Sequence, residues 1–427
     1  MKKNSAKISI YMILFSFIAK ILSFLARIIL ARNISTTAMG YYSILSPTII
    51  ILITCVQMGI PSIISKIVAK KGYTFKDVST SIYFTIFTTL ITSSIYLLLV
   101  PTLSHLLYKQ NFTSLLYSVV PFLPCVSISG LLKGYLLGRR KFMHSSFSNV
   151  VEETSRIMFL LIVFSCTSIN DPIQMCKIAI YAMILGEICS IAYMLYMIYL
   201  EKHRLIKKLE YSNDTLKYIL KESLFISGAR FIGSLTCFLE PILLHLVTSN
   251  IIYEKMVLVY GYINGYVLPL LTMPSFLTIA LSTYLLPSFS YEYSRNNIKK
   301  ANTMYFSILY FCLVLNVIYC LTLYTFSEQI CMLFYNNIEM ASYLKQMSIP
   351  FMMYALQPIL NSCMHAFGYN TFATIDTTIG CIIRLLTIFF LTPYLQENTL
   401  SFAICIGMIV TTTLHVLHIS FKKKRYI

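Results

Sequence analysis

Charge is scarce in this chain. Of its 427 residues only 12% are Asp, Glu, Lys or Arg, against 57% apolar, where soluble domains carry about 25% charged residues. That deficit excludes a single water-soluble domain, and it is also the reverse of a disordered composition. Acids are scarcer than bases, 16 against 34, for a formal net charge of +18. In a soluble protein such an excess would point to nucleic acid. At a mean hydropathy of +0.73 the placement of the charge carries the information instead, and no nucleic-acid partner is expected. Tryptophan is absent altogether, which points to no particular substrate. There is no Gly-x4-Gly-Lys-Ser/Thr loop, so no ATP-driven motor resides here. HExxH, GxSxG and DxD patterns are missing too, and no loop is long enough for a catalytic domain. No catalytic residue, and no enzyme, is therefore expected. The twelve cysteines lack any CxxC or Cys/His spacing and read as small buried hydrophobes, with no metal site and no cofactor.

What the chain does have is about twelve continuous apolar runs, near 8–31, 42–65, 79–103, 114–137, 146–166, 176–200, 217–247, 255–287, 302–326, 346–368, 371–393 and 400–420. Each is long enough to cross a bilayer as a helix. Continuous rather than alternating runs exclude a transmembrane barrel. The reading is an all-α polytopic membrane protein of the cell membrane. Placing the N-terminus inside puts 23 of the 34 basic residues on inner segments, among them Arg139, Arg140, Lys141 and Lys422 to Arg425. Outer segments receive five: Arg32, Lys109, Lys177, Lys255 and Lys345. Both termini are thus expected in the cytoplasm. The first run is too long for a signal peptide and ends in Arg27 and Arg32, so it is read as a span.

The polar stretch between Glu201 and Asn213 separates six runs from six, giving lobes at 1–205 and 217–427 joined by a linker at 206–216. The halves share punctuation. Gly40-Tyr41, Pro47 and Pro61 find counterparts in Gly265-Tyr266, Pro274 and Pro287. Pro121, Gly138 and Arg156 find theirs in Pro350, Gly368 and Arg384. A six-span unit has even parity, so its copy keeps the same orientation. The repeat axis, a pseudo-two-fold, should then run along the membrane normal, as in a transporter whose two bundles rock about a central cavity. In span four, Gly130, Gly134 and Gly138 make a face of small residues that admits a close helix neighbour, and Lys133 is expected to snorkel.

A short list of charges stays inside the runs: Lys20, Arg27, Lys133, Arg156, Arg230 and Arg384, with Glu152, Glu153, Glu187, Glu240 and Asp376. Each costs about 2.5–3.5 kcal/mol at the bilayer centre and should face a cavity or a partner. Glu152 or Glu153 can reach Arg156 one turn on, whereas Asp376 lies two turns from Arg384. Glu187 can carry protons or satisfy a neighbouring helix. Spans one and seven begin the two repeats and hold Lys20, Arg27 and Arg230 against one acid, Glu240. Lys20, Ser23 and Arg27 share a helical face, and a transported anion could neutralise it. Arg suits bidentate phosphate contact and Lys a point-charge contact.

The run AKILSFLARIILARNIS (19–35), then Met39-Gly40-Tyr41-Tyr42, Pro47 and GIPSIISKIVAKK (59–71), closely resembles the start of the stage V sporulation protein B family. Those proteins are oligosaccharide and polysaccharide flippases of the multidrug/oligosaccharidyl-lipid/polysaccharide exporter superfamily. GYLLGRRKF (134–142) with Glu153 and Arg156, and LLPSFSYEYSRNN (285–297), resemble later parts of the family in order. The resemblance implies a MATE-like fold of two six-helix lobes around a V-shaped cavity, and movement of polyprenyl-pyrophosphate-linked saccharide to the outer leaflet. It also implies a pyrophosphate-recognising arginine in span one, which Arg27 matches; Arg230 matches by span and lobe. Two departures stand out: Lys70 replaces a common acid, and the chain ends after about twelve spans, where relatives often carry two more helices.

The expectation is a flippase whose pyrophosphate site is Arg27, Arg230 and Lys20. Glu240, Glu187, Glu153, Arg156, Arg384 and Asp376 would serve as coupling or ion-pair residues. Tyr41, Tyr42, Ser46, Gln57 and Tyr262 could meet the sugar. The alternative is a cation-coupled multidrug antiporter of the same fold, whose cavity would be dominated by acids. The drive would be an ion gradient, Na+ or H+, or the substrate's own. The partners would be a lipid-linked saccharide and membrane lipids, with the protein acting as a monomer.

Overall fold

A segment with no water around it must satisfy its backbone groups internally, and helices do so without help from other segments. Every described element of the protein is helical. The computed structural model describes residues 2–423 except 71–72, 109–111, 168, 201–209, 280, 283–284, 286–291, 293–294, 296 and 368. Pro287, Gly368, the first four residues of the expected linker and the basic residues Lys71, Lys109, Lys202, Arg204, Lys207, Lys208, Lys424 and Arg425 lie outside the described residues.

The contacts divide the chain into two compact units, Met1–Phe238 and Leu239–Ile427. The first holds α1 (Lys2–Asn33), α2 (Thr36–Gln57), α3 (Ile60–Ala69), α4 (Phe75–Leu107), α5 (Thr113–Tyr117), α6 (Phe122–Gly138), α7 (Phe142–Cys166), α8 (Pro172–Leu200) and most of α9 (Asn213–Val247). The second holds the end of α9, then α10 (Asn250–Gly261), α11 (Leu268–Leu271), α12 (Ile298–Thr325), α13 (Ser327–Tyr335), α14 (Ala341–Phe351), α15 (Gln357–Ala366), α16 (Asn370–Leu395) and α17 (Thr399–Lys423). The division thus falls inside α9 rather than in the stretch 206–216. The reason is that the first turns of α9 pack on the first unit. Ile219 is fully buried in its core, and Glu222 pairs with Lys66 of α3 at 2.7 Å.

Local chemistry sets several helix ends. The Ser35 hydroxyl accepts from the Ala38 amide at the start of α2, and Thr74 with Asp77 forms a capping box on α4. Between α2 and α3 the chain turns through left-handed conformations at Met58 and Gly59, the latter at φ 73°. Glycine is the residue that takes this conformation without strain. The core of the first unit joins Ile60, Ile63, Ile64 and Ile67 of α3 to Leu131, Leu132, Tyr135 and Leu136 of α6. The close approach comes from the glycine stripe. A Cβ on Gly134 would overlap the Pro61 carbonyl oxygen and the Ile64 side chain, and one on Gly138 would sit 2.8 Å from the Ser65 carbonyl oxygen.

In the second unit a π-helical stretch, Tyr262–Val267, links α10 to α11, and α12, α15, α16 and α17 enclose an apolar cluster including Tyr305, Ile359, Leu360, Met364 and Ala373. Buried Asn316 donates to the carbonyls of Phe351 (2.9 Å) and Met352 (3.0 Å), which the end of α14 leaves without helical partners.

The two units repeat one detail at the residue level. The Tyr108 hydroxyl donates to the Tyr41 carbonyl at 2.9 Å, and the Tyr335 hydroxyl donates to the Tyr266 carbonyl at 3.0 Å. The rings meet edge to face in both units. Tyr41 and Tyr266 are the residues paired by the sequence repeat.

Large apolar side chains stand exposed along the helices, such as Leu98 at 80% and Ile162 at 61%. Water would penalise such a surface; lipid does not. Eight stretches of the described chain are long and apolar enough to cross a membrane, and the one at Thr371–Ser420 contains two helices, α16 and α17. Helix α7 is not among the eight; it carries Glu152, Glu153 and Arg156.

Candidate functional site

The charges inside the first unit are organised by α7, which packs against α1 and α8. Arg156 lies one turn beyond two glutamates. Its guanidinium is 3.0 Å from Glu153 and 3.5 Å from Glu152, the pairing that the i,i+3 and i,i+4 spacing allows. Glu152 also accepts from Lys133 of α6 at 2.9 Å. Lys133 therefore does not snorkel as expected; a buried carboxylate one helix away is the nearer electrostatic partner. Glu187 of α8 is buried beside Ser129 and the Lys133–Glu152 pair.

Next to this network is a cavity of about 140 Å³ lined by Ser23, Arg27, Tyr42 and Arg156 together with small and apolar residues of α1, α7 and α8. Arg27 thus lines the same cavity as the Arg156 guanidinium. Tyr42 also donates toward the Met183 sulfur. Lys20, three residues before Ser23 on α1, is exposed, and Glu153 is its electrostatic neighbour. Arg230 on α9 is exposed as well. Among the described residues no carboxylate lies within 4 Å of Lys20 or Arg230.

In the second unit Glu240 is met by Arg384 of α16, with Nε to Oε1 and a terminal nitrogen to Oε2 both at 2.7 Å. Arg384 lines a cavity of about 310 Å³ with Gln357, Asn361, Thr377 and Thr411 among its polar neighbours. Glycines again permit the approach: a Cβ on Gly407 would stand 3.0 Å from the Arg384 Cβ and from the Gly380 carbonyl oxygen.

Asp376 does not meet Arg384. It is fully buried between two histidines of α17, with His415 Nδ1 2.9 Å from Oδ2 and His418 Nδ1 2.9 Å from Oδ1. Sequence reasoning missed both histidines, although their i,i+3 spacing on an apolar helix was the available signal. Two polar residues expected at the sugar are engaged elsewhere. Gln57 donates to the Val126 carbonyl at 3.2 Å, and Tyr262 donates to Glu339. No group of three His, Cys, Asp or Glu side chains among the described residues is arranged to hold a metal ion.

Residues 5–292 match the family described as polysaccharide biosynthesis protein. Stage V sporulation protein B of Bacillus subtilis (strain 168) is 28% identical over all of this chain and 86% of its own length. Sporulation protein YkvU of the same organism is 22% identical over 94% of this chain and 91% of its own. Among solved structures, a multidrug resistance MATE family transporter of the MOP superfamily, in an inward-facing conformation, superposes with a TM-score of 0.74 at 15% identity. That match covers 97% of this chain and 99% of the other. A eukaryotic MATE transporter gives 0.69 at 14%, covering 98% and 95%. At those identities the likeness is one of fold alone. By its sequence the chain belongs to the polysaccharide biosynthesis protein family.

Proposed function

We propose that this multi-pass membrane exporter translocates polyprenyl-pyrophosphate-linked saccharide across the cell membrane by alternating access. It does so with twelve spans in two six-helix lobes, both termini in the cytoplasm, and as a monomer. One observation carries the reading: the sign of the charge that lines the cavity of the first unit and stands exposed near it on α1 and α9. Glu152 and Glu153 are paired with Lys133 and Arg156, and Glu240 is paired with Arg384. Meanwhile Arg27 lines the cavity of the first unit, and Lys20 and Arg230 are exposed. A pyrophosphate offers the bidentate acceptors that guanidinium prefers, so an anionic head group suits these helices. A cation-coupled drug antiporter instead needs a cavity dominated by acids, whereas the charged groups lining the two cavities are Arg27, Arg156 and Arg384.

The test is flipping in reconstituted vesicles of a fluorescent polyprenyl-pyrophosphate disaccharide. Arg27→Ala or Arg230→Ala should each lower the rate at least tenfold, about 1.4 kcal/mol of lost transition-state binding, at unchanged expression. Wild-type rates in both variants would remove these arginines from the site.

A further inference from the structure

The ion that drives this cycle is open, and the second unit holds a buried cluster that the cargo site does not use. Asp376 sits six residues into α16, and His418 sits five residues before the end of α17, so the cluster occupies the open end of the α16–α17 hairpin. The Asp376 and His415 side chains are completely buried, while His418 is 32% exposed and stacks near Phe372 at 5.1 Å. Each Nδ1 hydrogen-bonds Asp376 Oδ2; with Asp376 ionised, that geometry assigns the proton of each ring to Nδ1 and leaves the lone pair on each Nε2. The Nε2 of His415 is buried with no hydrogen-bond partner. In that state the triad carries one net negative charge in an apolar hairpin, which is costly. One further proton on a ring Nε2 makes an imidazolium and brings the site to neutrality, with no covalent bond broken. Both rings hydrogen-bond Oδ2, which leaves Oδ1 as the one carboxylate oxygen without a hydrogen-bond partner; a hard cation such as Na+ fits poorly, because it wants several oxygen ligands.

The remaining titratable groups around the cluster are few. His365 of α15 acts electrostatically on His415, and the adjoining apolar cluster contributes Tyr305, Cys312, Cys363 and Tyr369, the last edge to face with the Phe372 that meets His418. Arg384 lies two turns along α16 and is bound to Glu240. On α14, Tyr343 and Lys345 adjoin Gln346, which accepts from Ser401 near the start of α17, about 20 Å from His415 at helical rise. The cluster also abuts the larger cavity: Thr377 follows Asp376, Thr411 precedes His415 by one turn, and both line it.

We propose that Asp376, His415 and His418 form a proton-binding site, with His418 as the water-accessible ring, and that the pH gradient acts on the export cycle here. The coupling half of this proposal rests on the exporter reading above; proton binding itself does not. Two measurements separate them. In the purified full-length protein with ring-15N histidine, His415 and His418 should respond together to falling pH, as one unit that takes up a single proton. Asp376→Asn should uncouple them and leave the other five histidines unmoved, with His418→Gln as a second variant and circular dichroism as the folding control. Two rings titrating independently in wild type, or unaltered by Asp376→Asn, would overturn the site. In vesicles with the same fluorescent lipid, a gradient of one pH unit should raise the wild-type rate about threefold or more, and a tenfold Na+ gradient should not. Asp376→Asn and His418→Gln should lose that response. Flipping indifferent to pH would overturn the coupling and leave the cargo reading intact. No flipping under any gradient, with the histidine titration as expected, would remove the cargo and leave the proton site standing.

Discussion

At the scale of single residues, the ion pair between Glu240 and Arg384 is the contact with the largest consequence for stability. Glu240 has a side chain only 1% exposed, so removing its cation strands a carboxylate in an apolar surround. Breaking a buried pair from one side costs about 3–5 kcal/mol, whereas replacing both partners by apolar residues of similar volume is often near neutral. Arg384→Ala should therefore lower the thermal midpoint in detergent strongly, and the double variant Glu240→Leu with Arg384→Met should recover most of the loss. Equal destabilisation of single and double variants would mean that the pair matters for its shape alone. Arg156 differs in kind, since both of its acids come from its own helix and Glu152 keeps Lys133 as a second partner. Arg156→Gln should cost less than Arg384→Gln in the same assay. That local pairing was legible from spacing. The partner of Arg384, 144 positions earlier, was not.

At the scale of elements, the small-residue stripe of α6 sets how closely α3 can pack. Gly134 touches the Pro61 backbone, which has no rotamer to yield. Gly134→Ala should therefore push the two helices apart at a cost of about 1–3 kcal/mol, the usual range for overpacking, read as a lower unfolding temperature. Gly130→Ala meets the Gln57 side chain at 3.0 Å and Pro61 Cγ at 3.2 Å and should cost less. The stripe was visible as a spacing of four. Its partner helix was not, because α3 becomes a separate element only through the left-handed turn at Met58 and Gly59. The repeat was likewise visible as Gly-Tyr and Pro-to-Arg spacings. The paired bonds from Tyr108 and Tyr335 to the carbonyls of Tyr41 and Tyr266 add hydroxyl donors that the sequence comparison had not singled out.

At the scale of the whole molecule, orientation is the property to measure. The Lys/Arg asymmetry puts the end of α7 outside and the α6–α7 turn, with Arg139 and Arg140, inside. Cys166 at the end of α7 is exposed. In a background stripped of the other eleven cysteines, Cys166 should react in intact cells with a membrane-impermeant maleimide. A cysteine placed by Arg140→Cys in a variant lacking Cys166 should react only after the cells are opened. The opposite pattern would invert the topology, and with it the side from which His418 takes its proton.

Composition, hydrophobic run length and charge placement were enough to specify helices, membrane residence and a short roster of costly charges. These are local properties, imposed on each segment by a solvent that cannot hydrogen-bond its backbone or solvate its ions. Which charge meets which is not local. It depends on the rotation and depth of helices set by packing, at glycines such as Gly134 and Gly407. Only the tertiary structure could bring Arg384 to Glu240, open a cavity beside Arg27, and fold two unremarked histidines onto Asp376.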